Sequence, residues 1–322
     1  MQADARTFSP STILLACAAL ALVSMIAFMT LGAKGSWSFL LSFRGAKLAG
    51  MVLVAYAIAV STVLFQTISG NRILTPSIIG FDAMYALLQT IMVFFLGAAG
   101  AVAVDPRLQF IIETAAMVGF SLLLFRALFS GASRSLHLLM LVGIILGGLF
   151  RSLSSFLQRI LDPNDFVVLQ DRLFASFNSV DASLLGIASV TALAVTLVLW
   201  RLSPTFDVLA LGREAAIGLG VDHQRVVTLL LVLIAVLVSV STALVGPVTF
   251  FGLLVASLAW QLTPTASHRF VLPIAVCIAI TTLVGGQVIL ERLFAFNTAL
   301  SIVIEFFGGL VFIFLLVKGS AR

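Results

Sequence analysis

The chain of 322 residues is 61% hydrophobic and only 10% charged, with a formal net charge of +5 at neutral pH. Because soluble domains average about 25% charged residues, this composition excludes a soluble globular protein. The basic residues are scattered rather than clustered, so the positive charge does not indicate nucleic-acid binding. The alternating segments of an outer-membrane barrel do not occur in the sequence either. The composition therefore predicts an all-α polytopic membrane protein.

Ten apolar segments predict about ten transmembrane helices, since a helix needs roughly 20 residues to cross the hydrocarbon core. The first segment resembles a signal peptide, but its uncharged run Thr7–Ala33 is longer than a usual apolar core and no clear cleavage site follows. We therefore interpret it as a span. In chain order the predicted spans are 12–31, 48–70, 76–98, 108–129, 136–157, 183–201, 225–244, 250–262, 270–289 and 299–318.

The apolar run Val226–Ser267 is too long for one helix. Gly246 and Pro247 divide it, because proline has no amide proton to donate and glycine favours a turn. The second piece, 250–262, is short for a complete crossing and is predicted to be a half-span packed inside the protein.

Small residues and cysteines within the spans indicate packing rather than chemistry. The pair Gly143 and Gly147, one helical turn apart, predicts a close approach between helices. Cys17 and Cys277 both lie in apolar runs, so neither indicates a disulfide or a metal ligand.

The charge distribution gives a weak signal for orientation. An even number of spans places both termini on one side, and with the termini inside, ten of the 18 Lys and Arg residues lie in inner segments and eight in outer segments. This excess favours cytoplasmic termini. The longest outer segment, 151–182, mixes acidic and basic residues with apolar ones, which predicts a short amphipathic helix on the outer face.

Trp200–Arg225 is the one sizeable polar stretch in the second half of the chain. Within it, Gly212–Gly220 predicts a short helix around Glu214, Ala215 and Ala216 that ends at the following glycines. A helix held between two spans can transmit a rigid push from a cytoplasmic domain, although an ordinary amphipathic loop helix explains these residues equally well. The charged residues and histidine of this stretch are Arg201, Asp207, Arg213, Glu214, Asp222, His223 and Arg225.

Motifs for nucleotide and metal binding are absent from the sequence. No loop of the type G-x-x-x-x-G-K-[ST] occurs, and His137, His223 and His268 are far apart, so neither a cofactor nor a metal is predicted. A membrane hydrolase needs a base beside its nucleophile, and Ser154 and Ser155 have no intramembrane histidine to serve them. The sequence therefore gives little support to an enzyme.

Polar side chains within spans are functional candidates, because they are costly in the membrane. An ion-coupled secondary transporter of a small solute is the alternative function, although clear broken helices with central carboxylates are missing. The roles of Asp82, Glu113 and Glu305 stay open. The intramembrane polar residues are Gln66, Asp82, Gln89, Glu113, Gln287 and Glu305.

Three stretches together carry a resemblance to a known family. Gln66–Gly80 has the sequence QTISGNRILTPSIIG and is similar to the pattern Q-x-x-x-x-N-x-L-A-x-P-x-x-L-G, and Val245–Leu253 has the sequence VGPVTFFGL and is similar to G-x-I-x-F-x-G-L. With the Glu-Ala-Ala…Gly element of Gly212–Gly220, they resemble the permeases of binding-protein-dependent ATP-binding-cassette importers for iron siderophores, haem and cobalamin. Their order and spacing extend this resemblance over nearly the whole chain.

Departures from the family pattern indicate a divergent branch, similar to permeases for catecholate-type ferric siderophores. Ala256 and Ser257 replace the family's Pro-His, and Gln261 lies near the place of its arginine. Thr75 replaces an alanine, and the family's Arg-x-Pro-Arg before the second span is represented by Arg44–Lys47.

The resemblance implies a type II importer permease, with one transmembrane domain over residues 1–322 in the bacterial inner membrane and no cofactor. It implies import of a ferric siderophore, driven by two copies of a separate ATPase subunit. The other expected partners are a second permease, identical or paralogous, and a periplasmic or lipoprotein binding protein, with no nucleic acid.

The resemblance also assigns expected roles to particular residues. In the coupling loop 202–224, the residues expected to couple to the ATPase are Arg213, Glu214, Ala215, Ala216, Gly218 and Gly220. The residues expected to dock the binding protein are Arg44, Lys47 and Arg292. The residues expected to shape the translocation path are Gln66, Asn71, Pro76, Gly80, Gly246 and Pro247.

Overall fold

The protein is all-helical in the computed structural model, which describes residues 9–32, 37–129, 136–177, 181–293, 303, 304, 306, 308–310 and 313. No strand occurs among these residues, and eight of their helices are long and apolar enough to span a membrane. The helices are α1 (Pro10–Thr30), α2 (Trp37–Ser69), α3 (Phe81–Ala103), α4 (Pro106–Phe129), α5 (Leu136–Gln158), α6 (Pro163–Leu173), α7 (Ala182–Leu209), α8 (Arg213–Gly218), α9 (His223–Val245), α10 (Phe251–Leu262) and α11 (His268–Leu293).

Several helices differ in extent from the predicted spans. α2 begins at Trp37 rather than at residue 48, and α7 continues to Leu209 rather than ending at 201. Apolar length marks only the part of a helix that lies in lipid, whereas the helix itself continues until its backbone meets a cap. The predicted third span is divided, because Pro76–Ile79 forms a separate 3-10 turn before α3. The predicted span 299–318 lies almost wholly outside the described residues.

α7 passes through Pro204 without ending. Proline cannot donate to the carbonyl four residues before it, which is that of Trp200. The hydroxyl of Ser203 donates to this carbonyl instead, at 2.8 Å. The side-chain bond replaces the missing backbone bond, so the helix extends beyond the apolar stretch.

α2 and α9 form the centre of the bundle, and most of each helix is buried. α1, α10 and α11 pack around α2, whereas α3, α4 and α7 pack against α9. Small residues on the two central helices, such as Ala59 and Ala235, are fully buried and allow close packing. The peripheral helices expose apolar side chains, such as Leu15 of α1 and Leu193 of α7, which suits a lipid environment.

The two ends of α7 define two opposite sides of the bundle. Its 28 residues measure roughly 42 Å along the helix axis, and it connects α6 to α8. α6 and α8 therefore lie on opposite sides, which we call the α6 side and the α8 side. α2 and α7 end on the α8 side, and α9 and α11 begin there.

The 3-10 turn before α3 packs directly on the backbone of α5. A Cβ atom at Gly143 would lie 2.8 Å from the Cα of Ile79, and a Cβ atom at Gly80 would lie 3.3 Å from the Cα of Gly147. Gly80 also has a φ of +102°, which glycine adopts without strain. The predicted close approach at Gly143 and Gly147 is therefore present, with the 76–80 turn as the partner.

The predicted break at Gly246 and Pro247 is present, and α10 is a half-span. α9 ends at Val245, and the 12 residues of α10 return toward the α8 side with most of their first half buried. The segment 174–177, which follows α6, covers the break: the amide of Ser176 donates to the carbonyl of Val245 at 2.8 Å. The irregular backbone is thus enclosed by protein, as a membrane interior requires.

The contact at Gly143 makes a prediction about stability. Gly143→Ala should lower the free energy of unfolding by about 1–3 kcal/mol, because the added methyl group meets backbone atoms of the 76–80 turn that cannot rotate away. Denaturant unfolding of the purified protein in detergent measures the change. Gly148→Ala is the control, since nothing lies within 4 Å of its Cβ position and alanine favours a helix. Equal losses in the two variants would contradict the contact.

Candidate functional site

The segment 210–222 on the α8 side contains the predicted short helix. α8 covers Arg213–Gly218 and ends in a Schellman turn, in which the amide of Val221 donates to the carbonyl of Ala216 and the amide of Gly220 donates to that of Ile217, both at 3.0 Å. Gly220 has a φ of +85°, the left-handed conformation that this turn requires. The shape of α8 is therefore determined by bonds within the segment itself.

α8 presents one buried residue and a largely exposed outer surface. Ala216 is fully buried against the bundle, where α8 contacts α7 and α9. Leu211, Ile217 and Leu219 are 64%, 53% and 63% exposed. Ile217 lies within α8, and Leu211 and Leu219 lie just before and just after it, so a partner that covers α8 would bury exposed apolar surface. We call Leu211, Ile217 and Leu219 the α8 patch.

The predicted coupling residues lie together on this helix. Arg213 and Glu214 are exposed in its first turn, and Ala215 and Gly218 are exposed further along it. Glu214 stands at the end of the helix where backbone amides are unpaired, a favourable position for a carboxylate. The helix thus combines an apolar patch with charged residues that can set the orientation of a partner.

The start of α9 is fixed by a local cap. The Asp222 carboxylate accepts from the amide of Arg225 at 3.2 Å and lies 3.0 Å from the Arg225 side chain. This ion pair is exposed, so it contributes little to stability. The cap and the burial of Ala216 both help to hold the 210–222 segment in place.

A cavity of about 660 Å³ separates α8 from the end of α2. Thr67 and Gly70 line it on the side of α2, and Ile217 lines it on the side of α8. α8 is therefore supported by α7 and α9, and open space lies between it and α2.

Two of the predicted path residues, Gln66 and Asn71, make structural contacts on the α8 side. Gln66 is 2% exposed; it accepts from Trp260 Nε1 at 3.0 Å and donates to the Arg72 carbonyl at 2.7 Å. The Arg72 guanidinium lies 4.7 Å from the centre of the Trp260 ring, a cation–π distance. Asn71 accepts from the amide of Ile73 at 2.9 Å and so shapes the turn after α2.

The other predicted path residues lie at two turns that meet within the bundle. Pro76 and Gly80 bound the 3-10 turn, and Gly246 and Pro247 begin the turn before α10. A small cavity of about 20 Å³ lies between these turns, with Asp82 at its edge. Its other polar lining residues are Ser61, Thr62, Thr75, Ser77, Ser241, Thr242 and Thr249.

The predicted docking cations gather at the end of α1 on the α6 side. Arg44 donates to the carbonyls of Phe28 and Leu31 at 2.7 and 2.9 Å, and Arg292 also donates to the Leu31 carbonyl. Cations at a helix C-terminus stabilise its unpaired carbonyls. Lys47 is 9% exposed, with its ammonium 5.0 Å from the Phe43 ring centre.

Two intramembrane polar residues, Gln89 and Glu113, are paired with each other. Gln89 donates to Glu113 at 2.7 Å, Gln109 donates to the same Glu113 oxygen at 2.6 Å, and Arg172 of α6 donates to Gln89 at 3.4 Å. Glu113 is 5% exposed, so these donors replace the water that a carboxylate would otherwise need. The side chain of Glu305 lies outside the described residues.

α6 is also bonded to the C-terminal end of α3. α3 has a kink at Gly97, and the Asp165 carboxylate accepts from the amide of Ala98, the first after the kink, at 2.9 Å. Arg172 donates to the carbonyl of Ala101 at 3.1 Å. The short helix predicted in 151–182 is thus α6, and both of its ends hold the last turn of α3.

Sequence reasoning missed Trp260 and Arg172 as partners of intramembrane polar residues. Trp260 lies 194 residues from Gln66, and Arg172 lies 83 residues from Gln89. Neither pair belongs to one motif, so no local pattern indicates it. Within the described part of the chain, no group of three or more His, Cys, Asp or Glu residues lies close enough to hold a metal ion.

Comparison with known proteins gives consistent matches along the chain. The model of the FecCD transport family matches residues 7–318. The petrobactin import system permease YclO of Bacillus subtilis is 48% identical over 284 residues, which cover 88% of this chain and 90% of YclO. The petrobactin import system permease FatC of Bacillus anthracis is 37% identical over 271 residues, which cover 84% of this chain and 77% of FatC.

A solved structure gives the same result for the fold. An inward-facing conformation of a metal-chelate type ABC transporter superimposes with a TM-score of 0.84 at 25% identity. The alignment covers 96% of this chain and the whole of that chain. The helix order described above is therefore shared with a transporter of the metal-chelate type.

Proposed function

The chain belongs to the FecCD transport family, and from this membership we propose how its parts serve the import of a ferric siderophore. It is the permease subunit of an ATP-binding-cassette siderophore importer, and a separate subunit hydrolyses the ATP. Membership of this family decides against the ion-coupled carrier and against the membrane enzyme. Permeases of this kind work with an ATPase and a substrate-binding partner.

The α8 patch is the proposed docking surface for the ATPase. Ala216 anchors α8 between α7 and α9, while Leu211, Leu219 and Glu214 are exposed. Arg213 and Ile217 are also exposed and border the cavity beside α8. Because α8 is a rigid turn of helix between two spans, a partner that moves α8 also moves the ends of α7 and α9. This exposed apolar patch on an anchored helix is the observation that carries the proposal.

The position of the ATPase sets the proposed orientation. The α8 side faces the cytoplasm, and the α6 side faces outward, toward the binding protein. α1 ends beside Arg292 and Arg44 on the α6 side, so its beginning lies on the cytoplasmic side. With the ten predicted spans, an even number, the C-terminus is also proposed to be cytoplasmic, in the inner (plasma) membrane of a bacterium.

The translocation path is proposed to run along the turn before α10, between this chain and a second permease. Thr249 and Phe250 are exposed at this turn, although most of the first half of α10 is buried. The hydroxyl groups around the small cavity beside Asp82 give the turn a polar surface within the span. The partner permease is identical or paralogous, and two ATPase copies serve the pair. Of the predicted path residues, Pro76, Gly80, Gly246 and Pro247 hold these turns in place, and Gln66 and Asn71 position the turn after α2.

The proposed outward docking residues are Arg44 and Arg292. Both remain at least partly exposed while they bind the end of α1, so acidic groups of a binding protein can still reach them. Lys47 is buried in this conformation. We propose that it adds to the positive potential around Arg44 instead of touching the partner.

The proposed cargo is ferric petrobactin or a chelate that closely resembles it. YclO and FatC are both permeases of petrobactin import systems, and YclO shares nearly half of its aligned residues with this chain. A pore formed by two permeases accepts its cargo by shape and polarity, so relatives at this identity are expected to accept similar chelates.

Replacement of an α8 patch residue tests the ATPase docking surface. Leu219→Glu should release the ATPase from the purified complex, because a buried interface would then hold an unpaired charge, at a cost of about 3–5 kcal/mol. Co-purification and ATP hydrolysis measure the loss. Ile160→Glu introduces the same charge at a residue that is 57% exposed on the α6 side and should leave the ATPase bound. Retention of the ATPase by the Leu219 variant would remove α8 from the interface.

Uptake in proteoliposomes tests the transport function. The reconstituted complex with its ATPase and binding protein should accumulate ⁵⁵Fe-petrobactin only when ATP is supplied, and an ionophore should not reduce the uptake. Ferric hydroxamate siderophores should be taken up much more slowly under the same conditions. Uptake that continues without ATP and follows an imposed proton gradient would instead indicate a secondary carrier.

Charge variants test the outer docking residues. Arg44→Gln and Arg292→Gln should weaken binding-protein docking, with the larger effect at low salt, because exposed charges are screened at high salt. Arg44→Lys should retain docking, since it keeps the charge that attracts an acidic partner. Arg107→Gln removes a charge from another exposed arginine on the α6 side and should have the smaller effect. If the affinity for the binding protein changes neither with these substitutions nor with salt concentration, Arg44 and Arg292 are not docking residues.

A further inference from the structure

A chain of polar contacts connects three long helices on the α8 side. Asp207 lies on the last turn of α7, shortly before α8 begins at Arg213. His268 is the first residue of α11, and Thr67 lies near the end of α2. The side chains of Asp207, His268 and Thr67 bond to one another in series.

Asp207 caps the beginning of α11. Its Oδ1 accepts from the backbone amide of His268 at 2.8 Å and from His268 Nδ1 at 2.6 Å, and its Oδ2 accepts from the Ser267 hydroxyl at 2.9 Å. The first amides of a helix have no partner within the helix. A carboxylate from α7 therefore supplies the cap of α11, so the ends of the two helices are bonded directly.

His268 continues the chain to α2. It is 2% exposed, and its Nε2 lies 2.7 Å from the Thr67 hydroxyl oxygen. Because a carboxylate only accepts, Nδ1 donates to Asp207. The Thr67 hydroxyl has one proton, which it donates either to the Val63 carbonyl at 2.9 Å or to Nε2 of the neutral ring. In the charged ring Nε2 donates to the Thr67 oxygen, and the hydroxyl proton stays on the Val63 carbonyl. The rings of Phe206 and Trp260 pack edge-on against the imidazole at 5.9 and 5.6 Å between ring centres, which fixes its orientation.

These contacts join helices that α8 does not reach by itself. α8 contacts α7 and α9, while the cavity of about 660 Å³ lies between α8 and the end of α2. Hydrogen bonds weaken steeply when distance or angle changes, so they add a directional restraint to the apolar packing of these helices. The series Asp207–His268–Thr67 therefore ties the end of α7, next to α8, to the ends of α11 and α2.

We propose that Asp207, His268 and Thr67 are positioning residues for transport, which make the ends of α2 and α11 follow α8 when the ATPase moves it. This inference rests on the proposed function of α8 as the ATPase docking helix. Thr67 separates the proposal from a purely stabilising cap, because Asp207 caps α11 without any help from the Thr67 hydroxyl.

The test compares transport with ATP hydrolysis in proteoliposomes that hold the complete complex and its binding protein. Thr67→Val keeps the shape of the side chain and removes the hydroxyl. We expect the variant to retain the ATPase and to hydrolyse ATP, but to deliver about tenfold less ⁵⁵Fe-petrobactin per ATP, the scale of the lost bond to His268. The bond from the Thr67 hydroxyl to the Val63 carbonyl is also lost, but it lies within α2. Thr67→Ser, which restores a hydroxyl, should recover most of the delivery.

Thr281→Val is the matched control, because the Thr281 hydroxyl bonds to a carbonyl of its own helix. It should leave delivery per ATP unchanged. Unchanged delivery in Thr67→Val, or an equal loss in Thr281→Val, would overturn the proposal. If the Thr67→Val complex assembles poorly, Thr67→Cys carries the same test at the same position, because a thiol is a much weaker hydrogen-bonding group than a hydroxyl. Failure of the unmodified complex to transport at all would instead contradict the proposed function, so the two failures are distinguishable.

Discussion

A polar group inside the apolar bundle needs a partner within the protein, because lipid offers none. This requirement determines which helices are joined to each other at the two sides. On the α6 side, Glu113 draws together amides from α3 and its own helix, and Arg172 brings α6 into the same group. On the α8 side, Gln66 and Trp260 join α2 to α10. Apolar side chains fill the space between these hydrogen-bonded groups, but the polar pairs determine which residues face each other.

The features that depend on neighbouring residues could be predicted from the sequence. Apolar length gives the positions of the spans, the Gly246–Pro247 step gives the half-span, and the glycines of the 212–220 stretch give α8. Each of these follows from the chemistry of a few consecutive residues. The family resemblance rests on the same local stretches and agrees with the match to residues 7–318.

The features that depend on distant residues could not be predicted. His268 meets Thr67 across 201 positions and Asp207 across 61, and no spacing rule connects residues so far apart. Apolar length does not give the helix ends either, since the side-chain bond at Ser203 carries α7 past its apolar part. The resemblance implies a docking role for Lys47 beside Arg44, but the 9% exposure of its side chain could be learned only from the structure.

The small cavity between the two turns has a consequence for motion. A volume of about 20 Å³ admits about one water molecule, and the surrounding hydroxyl oxygens can accept hydrogen bonds from it. The hydroxyls of Ser61 and Ser241 already bond to carbonyls of their own helices, so they lose no essential partner when neighbouring helices shift. A water molecule at this point can exchange one hydroxyl partner for another as the helices slide. α10 nevertheless lies close to α2 here, since a Cβ atom at Gly252 would lie 2.3 Å from the Thr62 hydroxyl oxygen. We therefore expect such a water molecule to keep the hydroxyls bonded through small shifts of these helices, while larger shifts would be blocked at Gly252.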